Sequence, residues 1–164
     1  MISKLINSIP TKCIVWLWRE VPFPRWFRDR VLEKANKNFL VGVVGFIFND
    51  KGELLLLKHT YRKSQWGLPS GWLEHEQPDK GLVREVYEES NLRISVDRTV
   101  HTQYYTNPHQ LTVYMQGTFI EGEFKPSDEV SEYGFYKMGD WPEGMSQEQI
   151  IYIKEHIEKG YLLC

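Results

Sequence analysis

Phe39-Leu40-Val41-Gly42-Val43-Val44-Gly45-Phe46-Ile47-Phe48, then Asn49-Asp50-Lys51-Gly52, then Glu53-Leu54-Leu55-Leu56-Leu57-Lys58-His59 reads as two strands joined by a turn. The first run is rich in β-branched and aromatic residues, and the Asn-Asp-Lys-Gly cluster breaks it, which predicts a hairpin. Leu54 to Leu57 is continuous rather than alternating. That pattern suits a strand covered on both faces, and hence a sheet sandwiched between helices.

Working outward, further strands are expected over Arg93 to Tyr105, Gln110 to Phe124 and Glu132 to Met138. One helix is predicted from Pro78 to Ser90, with proline early, where its missing N–H costs nothing. A second is predicted from Ser146 to about Lys159: Ser146 and Gln149 have capping-box spacing, Ile150, Ile151, Ile153 and Ile157 supply an apolar face, and Gly160 is a stop. Before the first strand, residues 1–38 mix Trp16, Trp18, Trp26 and Phe27 with basic residues around Pro22 and Pro24, predicting an N-terminal extension of two short helices. Its apolar content suits docking on the main domain or a homodimer contact better than a membrane surface, because Glu20, Asp29 and Glu33 dilute its positive face. The sum is an α/β/α sandwich with a mixed β-sheet over 39–164 and a helical extension over 1–38.

Composition bounds the function. The chain of 164 residues is 41% apolar and 26% charged, as soluble globular proteins are. A formal charge of -2 argues against a dedicated DNA or RNA binder. Cys13 and Cys164 lie at opposite ends without Cys-His partners at metal-site spacing, no stretch approaches a membrane span, and no signal-peptide pattern opens the chain. A cytoplasmic protein is expected.

The segment most charged with chemistry is Gly67-Leu68-Pro69-Ser70-Gly71-Trp72-Leu73-Glu74-His75-Glu76, running into Gln77-Pro78-Asp79-Lys80-Gly81-Leu82-Val83-Arg84-Glu85-Val86-Tyr87-Glu88-Glu89-Ser90-Asn91-Leu92. Glu85, Glu88 and Glu89 stand at i, i+3 and i+4 and share one helix face, while Leu82, Val83 and Val86 lie on another. Like charges at that spacing each weaken a helix by about 0.2 to 0.5 kcal/mol, and no lysine or arginine four residues away is expected to neutralise the group. The bland reading is an acidic, solvated helix face. The chemical reading is a site for Mg2+, with Mn2+ as a substitute, since hard cations take carboxylate oxygens, waters and substrate phosphates. Arg84, beside the cluster, is placed to orient a glutamate or to meet a phosphate.

The spacing decides between them, because the segment resembles the Nudix box, G-x5-E-x7-R-E-U-x-E-E-x-G-U with U a bulky aliphatic residue. Glu76, Arg84, Glu85, Val86, Glu88, Glu89 and Leu92 match it in register. Two positions depart: Gly71 lies one residue too close to Glu76, and Asn91 replaces the late glycine, a substitution suited to a left-handed helix end. The resemblance covers about Asn38 to Lys159. It implies a Nudix-type fold, metal binding by Glu85, Glu88 and Glu89, and a loop carbonyl from Ser70 or Gly71 as a further ligand. It also implies that Arg84 holds Glu85, and that Glu76 supports the loop and a metal-bound water. A further glutamate, ligand or general base, is implied before the last strand, where spacing favours Glu129 and then Glu132.

Lys58, Arg62 and Lys63 are expected near substrate phosphates, and Tyr104, Tyr105, Tyr114 and the N-terminal tryptophans are candidates to stack on a nucleobase, most of them reading as core. The five histidines lack metal-ligand spacing and read as surface or packing residues, His75 excepted for its place beside Glu76. The resemblance implies hydrolysis of a small nucleotide: a nucleoside diphosphate derivative, with ADP-ribose or a nucleotide sugar foremost. An oxidised nucleoside triphosphate, an RNA 5′ end, and a non-enzymatic nucleotide sensor are the alternatives.

Overall fold

A computed structural model describes residues 39–160 together with Pro24, Trp26 and Arg30. The chain divides into two units, Met1–Phe39 and Leu40–Cys164. The expected N-terminal helices, the role of that extension, and Cys13 and Cys164 lie outside the described residues. In the second unit the order is β1 (Leu40–Phe48), β2 (Leu54–His59), β3 (Trp66–Gly67), β4 (Ser70–Trp72), α1 (Pro78–Ser90), β5 (Arg93–Thr106), β6 (His109–Glu121), β7 (Val130–Tyr136) and α2 (Gln147–Glu158).

The strands form one mixed sheet in the order β3-β2-β1-β6-β5, with β7 on β2 and β4 on β1. β1 and β6 run parallel from Leu40↔Gln110 to Phe48↔Thr118, and the other pairings are antiparallel. Two apolar layers sandwich the sheet. Val43, Ile47, Leu55 and Leu57 join Leu82 and Val86 of α1, whereas Phe46, Phe48, Leu54 and Leu56 join Ile150 and Ile153 of α2. Side chains alternate faces along a strand, so the continuous Leu54–Leu57 run feeds both layers, and all four leucines are fully buried. Burying each contributes on the order of 1.5–3 kcal/mol. Among the described residues no helix is long and apolar enough to cross a membrane.

The helices follow their sequence signals. Ser146 accepts the Gln149 N–H at 3.1 Å and starts α2. Asn91 takes a left-handed conformation at φ 60°, donates its N–H to Tyr87 O at 2.8 Å, and ends α1 as expected at the late-glycine position. The strand ends differ from the sequence reading. β6 stops at Glu121 rather than Phe124, and β7 begins at Val130, before Glu132. The segment between β2 and α1, for which no strand is predicted, holds the short strands β3 and β4, which exist because β1 and β2 part. The two meet only at Phe48↔Leu54. Beyond that pair, β4 takes the freed edge of β1 and β3 pairs with β2, so the chain from Trp66 to Trp72 lies where the sheet splits.

Candidate active site

At that split lies a cavity of about 590 Å³. Gly42 and Val44 of β1 with Gln110, Thr112 and Tyr114 of β6 form its floor, the parallel register setting these residues side by side. Ser70 to Trp72 and the carboxylates of α1 make one wall, and Tyr61, Arg62 and Glu129 make another.

Arg84 anchors the acidic wall. Its Nε and Nη2 donate to Glu76 Oε1 at 3.0 and 2.8 Å, Nη1 donates to Glu88 Oε2 at 2.9 Å and lies 3.0 Å from Glu85 Oε1, and Nη2 donates to the Trp72 carbonyl at 3.1 Å. These partners, the Glu76 hydrogen bond above all, raise its pKa further, so it stays charged. One expectation is overturned here: a neutralising base does stand four residues from the cluster, because Arg84 and Glu88 form an i,i+4 pair. The guanidinium has its donors directed at protein oxygens, Glu85 among them.

Glu85 is tied to β4 as well. Its carboxylate accepts a hydrogen bond from the Trp72 backbone, while burial, the larger effect, raises its pKa against the pull of Arg84. It packs so closely on Gly71 that a methyl group there would overlap its carboxyl. Close approach therefore demands glycine at 71, where the sequence alone showed a displaced box glycine. The ladder also separates Ser70 from Gly71. Gly45 N–H bonds Pro69 O at 2.9 Å and Leu73 N–H bonds Val41 O at 2.8 Å, so odd positions of this segment face β1. Antiparallel alternation turns the Ser70 carbonyl the other way, with the Trp72 groups that meet Arg84 and Glu85. Gly71 thus spends its carbonyl on the β1 ladder, and Ser70 keeps the available one.

Glu89 differs from its neighbours. It is 8% exposed, and its Oε2 is buried without a hydrogen-bond partner. Burial, then the nearby Glu85 and Glu129 charges, push its pKa up to about 7. A buried carboxylate oxygen with no donor, facing other carboxylates, fits a hard divalent cation. Among the described residues no three His, Cys, Asp or Glu side chains form a ready-made cage. Magnesium keeps waters and takes substrate phosphates rather than relying on an all-protein shell.

The other candidates sort themselves. Arg62 lines the cavity and donates Nη2 to Ser70 Oγ at 3.2 Å and to the Tyr61 hydroxyl at 3.3 Å. Lys58 instead pairs with Glu132 at 2.6 Å, which takes both away from the cavity, and Lys63 is exposed and does not line it. Glu132→Gln is expected to change turnover by less than about twofold, because partly exposed pairs of this kind contribute only about 0–1 kcal/mol. Steady-state rates and a thermal melt check this. A β-bulge divides the two glutamates: the β2–β7 register shifts between Lys58↔Glu132 and His59↔Val130, leaving Glu132 on the strand and Glu129 on the cavity wall.

His75 is exposed and does not line the cavity, while His59 and His156 are buried. Tyr105 and Tyr114 line the cavity with their hydroxyls 2.9 Å apart, but Tyr104 turns to stack on His109. Trp72, Asn107, Pro108, Gln110 and Thr112 line it too, and sequence reasoning missed them as a group. Only the parallel β1–β6 register, which no local pattern announces, brings Gln110 and Thr112 beside Gly42.

A mixed sheet that splits around a short wedge, with a glutamate-bearing helix lining the cleft, defines a Nudix-type hydrolase fold. The NUDIX domain model matches residues 38–154, and the chain belongs to this family, the Nudix hydrolases. A MutT-like protein of Streptomyces ambofaciens is 40% identical over 58 residues, which is 35% of this chain and 37% of that relative's length. The structure of a MutT protein from Methanosarcina mazei Go1 superimposes with a TM-score of 0.62 at 22% identity, covering 76% of this chain and 97% of that one. An ADP-ribose pyrophosphatase from Streptococcus suis 89-1591 gives 0.60 at 25% identity, covering 75% and 92%.

Proposed function

We propose that the protein is a pyrophosphohydrolase dependent on Mg2+, with Mn2+ as a substitute, that cuts the internal diphosphate of a nucleoside diphosphate derivative such as ADP-ribose or a nucleotide sugar. Glu85, Glu89 and the Ser70 carbonyl would hold the cation, with Glu88 and Glu129 completing its shell or binding its waters. Bound there, a divalent cation neutralises diphosphate charge and lowers the pKa of a coordinated water. Glu76 and Arg84 brace this wall. Glu129, opposite it, is the carboxylate placed to take a proton from an attacking water, and Arg62 faces the phosphates.

The charge of the cavity wall carries the substrate reading. Among the described lining residues, Arg62 is the one cation without an ion pair, against Glu85, Glu88, Glu89 and Glu129. An internal diphosphate carries about two negative charges and a terminal triphosphate about four at neutral pH. A site with one free cation favours the former, with neutral groups at both ends set on the Trp72, Tyr105, Gln110 and Thr112 surfaces. The experiment is magnesium-dependent cleavage of ADP-ribose, a nucleotide sugar, CDP-choline, a diadenosine polyphosphate and 8-oxo-dGTP, read as formation of the nucleotide products by chromatography. The expected result is a kcat/KM at least about tenfold higher for ADP-ribose or the nucleotide sugar than for 8-oxo-dGTP. The reverse ranking would sink the substrate reading, and binding without turnover of any of them would favour a sensor.

A further inference from the structure

We propose that the Thr60 hydroxyl is a positioning group that aims Glu129 across the cavity at Glu89 and ties it to the loop bearing Arg62. This rests on the role given to Glu129 above. Thr60 follows β2 and brackets the Glu129 backbone. Its N–H donates to the Glu129 carbonyl at 2.9 Å, and its Oγ1 lies 2.8 Å from the Asp128 carbonyl and 3.3 Å from that of Glu129. A hydroxyl has one proton, and the Glu129 carbonyl is already served, so the shorter contact to Asp128 takes it.

The two carbonyls so held lie on either side of the Glu129 α-carbon. Fixing both fixes the backbone dihedrals there, and with them the direction in which the side chain leaves the chain. Ser127 completes the frame: its Oγ accepts the N–H groups of Glu129 at 3.3 Å and Val130 at 3.0 Å. Glu129 therefore has its backbone N–H and C=O both occupied, although it stands on an exposed loop beside a bulge.

Thr60 is itself exposed, so water would satisfy these carbonyls if the hydroxyl were gone. Burial does not dictate the contact, and aim is what the contact adds. Arg62 follows two residues later, and its Nη2 reaches Ser70 Oγ. One anchor thus sets the free cation and the loop carboxylate in a common frame around the phosphates.

The test compares Thr60→Val, which keeps the shape and loses the hydroxyl, with Thr60→Ser, which keeps the hydroxyl, alone and combined with Glu129→Gln. Thr60→Val is expected to lower kcat about tenfold with KM within about twofold, since a small misplacement of a reacting group acts on the chemical step. Thr60→Ser should stay within about twofold of the parent, and Thr60→Val should have no further effect in the Glu129→Gln background. In metal-free protein, amide exchange across Ser127 to Ser131 should quicken in Thr60→Val and not in Thr60→Ser, at an unchanged melting temperature. An unaltered kcat in Thr60→Val, equal losses in both variants, or additive losses with Glu129→Gln would each overturn the proposal. Absence of turnover in the parent would strike the proposed function instead. The exchange comparison would then still decide whether the clamp exists, and equal rates would overturn it.

Discussion

Glu89→Gln is expected to lower kcat by at least about a hundredfold while raising the melting temperature of the metal-free protein at pH 8 by about 2 °C or more. Both effects follow from one observation. Glu89 is buried, its Oε2 has no donor, and its folded pKa is pushed up to about 7 from an ordinary value near 4.5. A carboxyl whose pKa is raised on folding binds its proton more tightly in the native state, so stability falls as pH rises between the two values. The cost is absent below about pH 4.5, builds toward 7 and is complete above it. The neutral amide escapes that cost, so its stability gain should be present at pH 8 and vanish near pH 4.5. A cation bound at Glu89 would offset the same cost in the parent, so adding magnesium should shrink the difference. Melting curves at both pH values, with and without chelator, check the first half, and steady-state turnover checks the second. Loss of activity without any gain in metal-free stability would place Glu89 in the structure rather than at the metal.

Gly71→Ala is expected to reduce turnover by about a hundredfold without touching a charged group. The added methyl would overlap the Glu85 carboxyl. Glu85 cannot retreat freely, because its carboxylate is held by Arg84 and by the Trp72 backbone N–H. Displacing a reacting group by about 1 Å can cost on the order of a hundredfold in rate. A crystal structure of the variant should show the Glu85 carboxyl moved and β4 still paired to β1. Activity near that of the parent would mean that Glu85 tolerates displacement, which a cation ligand should not.

Much of this was legible in the sequence, and for identifiable reasons. α1 spans Pro78–Ser90 as the pattern predicts, because proline, the Leu82–Val86 apolar face and Asn91 each mark it locally. Glu85, Glu89 and Arg84 come together because a helix fixes their spacing. What could not be read depends on partners distant in the chain. β3 and β4 are two and three residues long and are strands only through the edges that β1 and β2 offer. The difference between Glu129 and Glu132 is made by a bulge, and that between Arg62 and Lys58 by the Glu132 carboxylate. The i,i+4 spacing of Arg84 and Glu88 is itself written in the sequence, whereas the pairing of Arg84 with Glu76, eight residues back, depends on the turn before α1.

The leucines of β2 carry one more consequence. Since Leu54, Leu55, Leu56 and Leu57 are buried on alternate faces, sliding the strand by one residue would exchange leucine for leucine in both layers. Oil alone therefore cannot tell the strand where to stop, unlike a strand with one polar face. The stops are polar and lie at its ends. At the turn, Asn49 Oδ1 accepts the Lys51 and Glu53 N–H groups at 3.0 and 2.9 Å, and at the other end Lys58 meets Glu132 at 2.6 Å. Residues that add little to stability thus act as the end stops of the strand from which Thr60 and Arg62 hang.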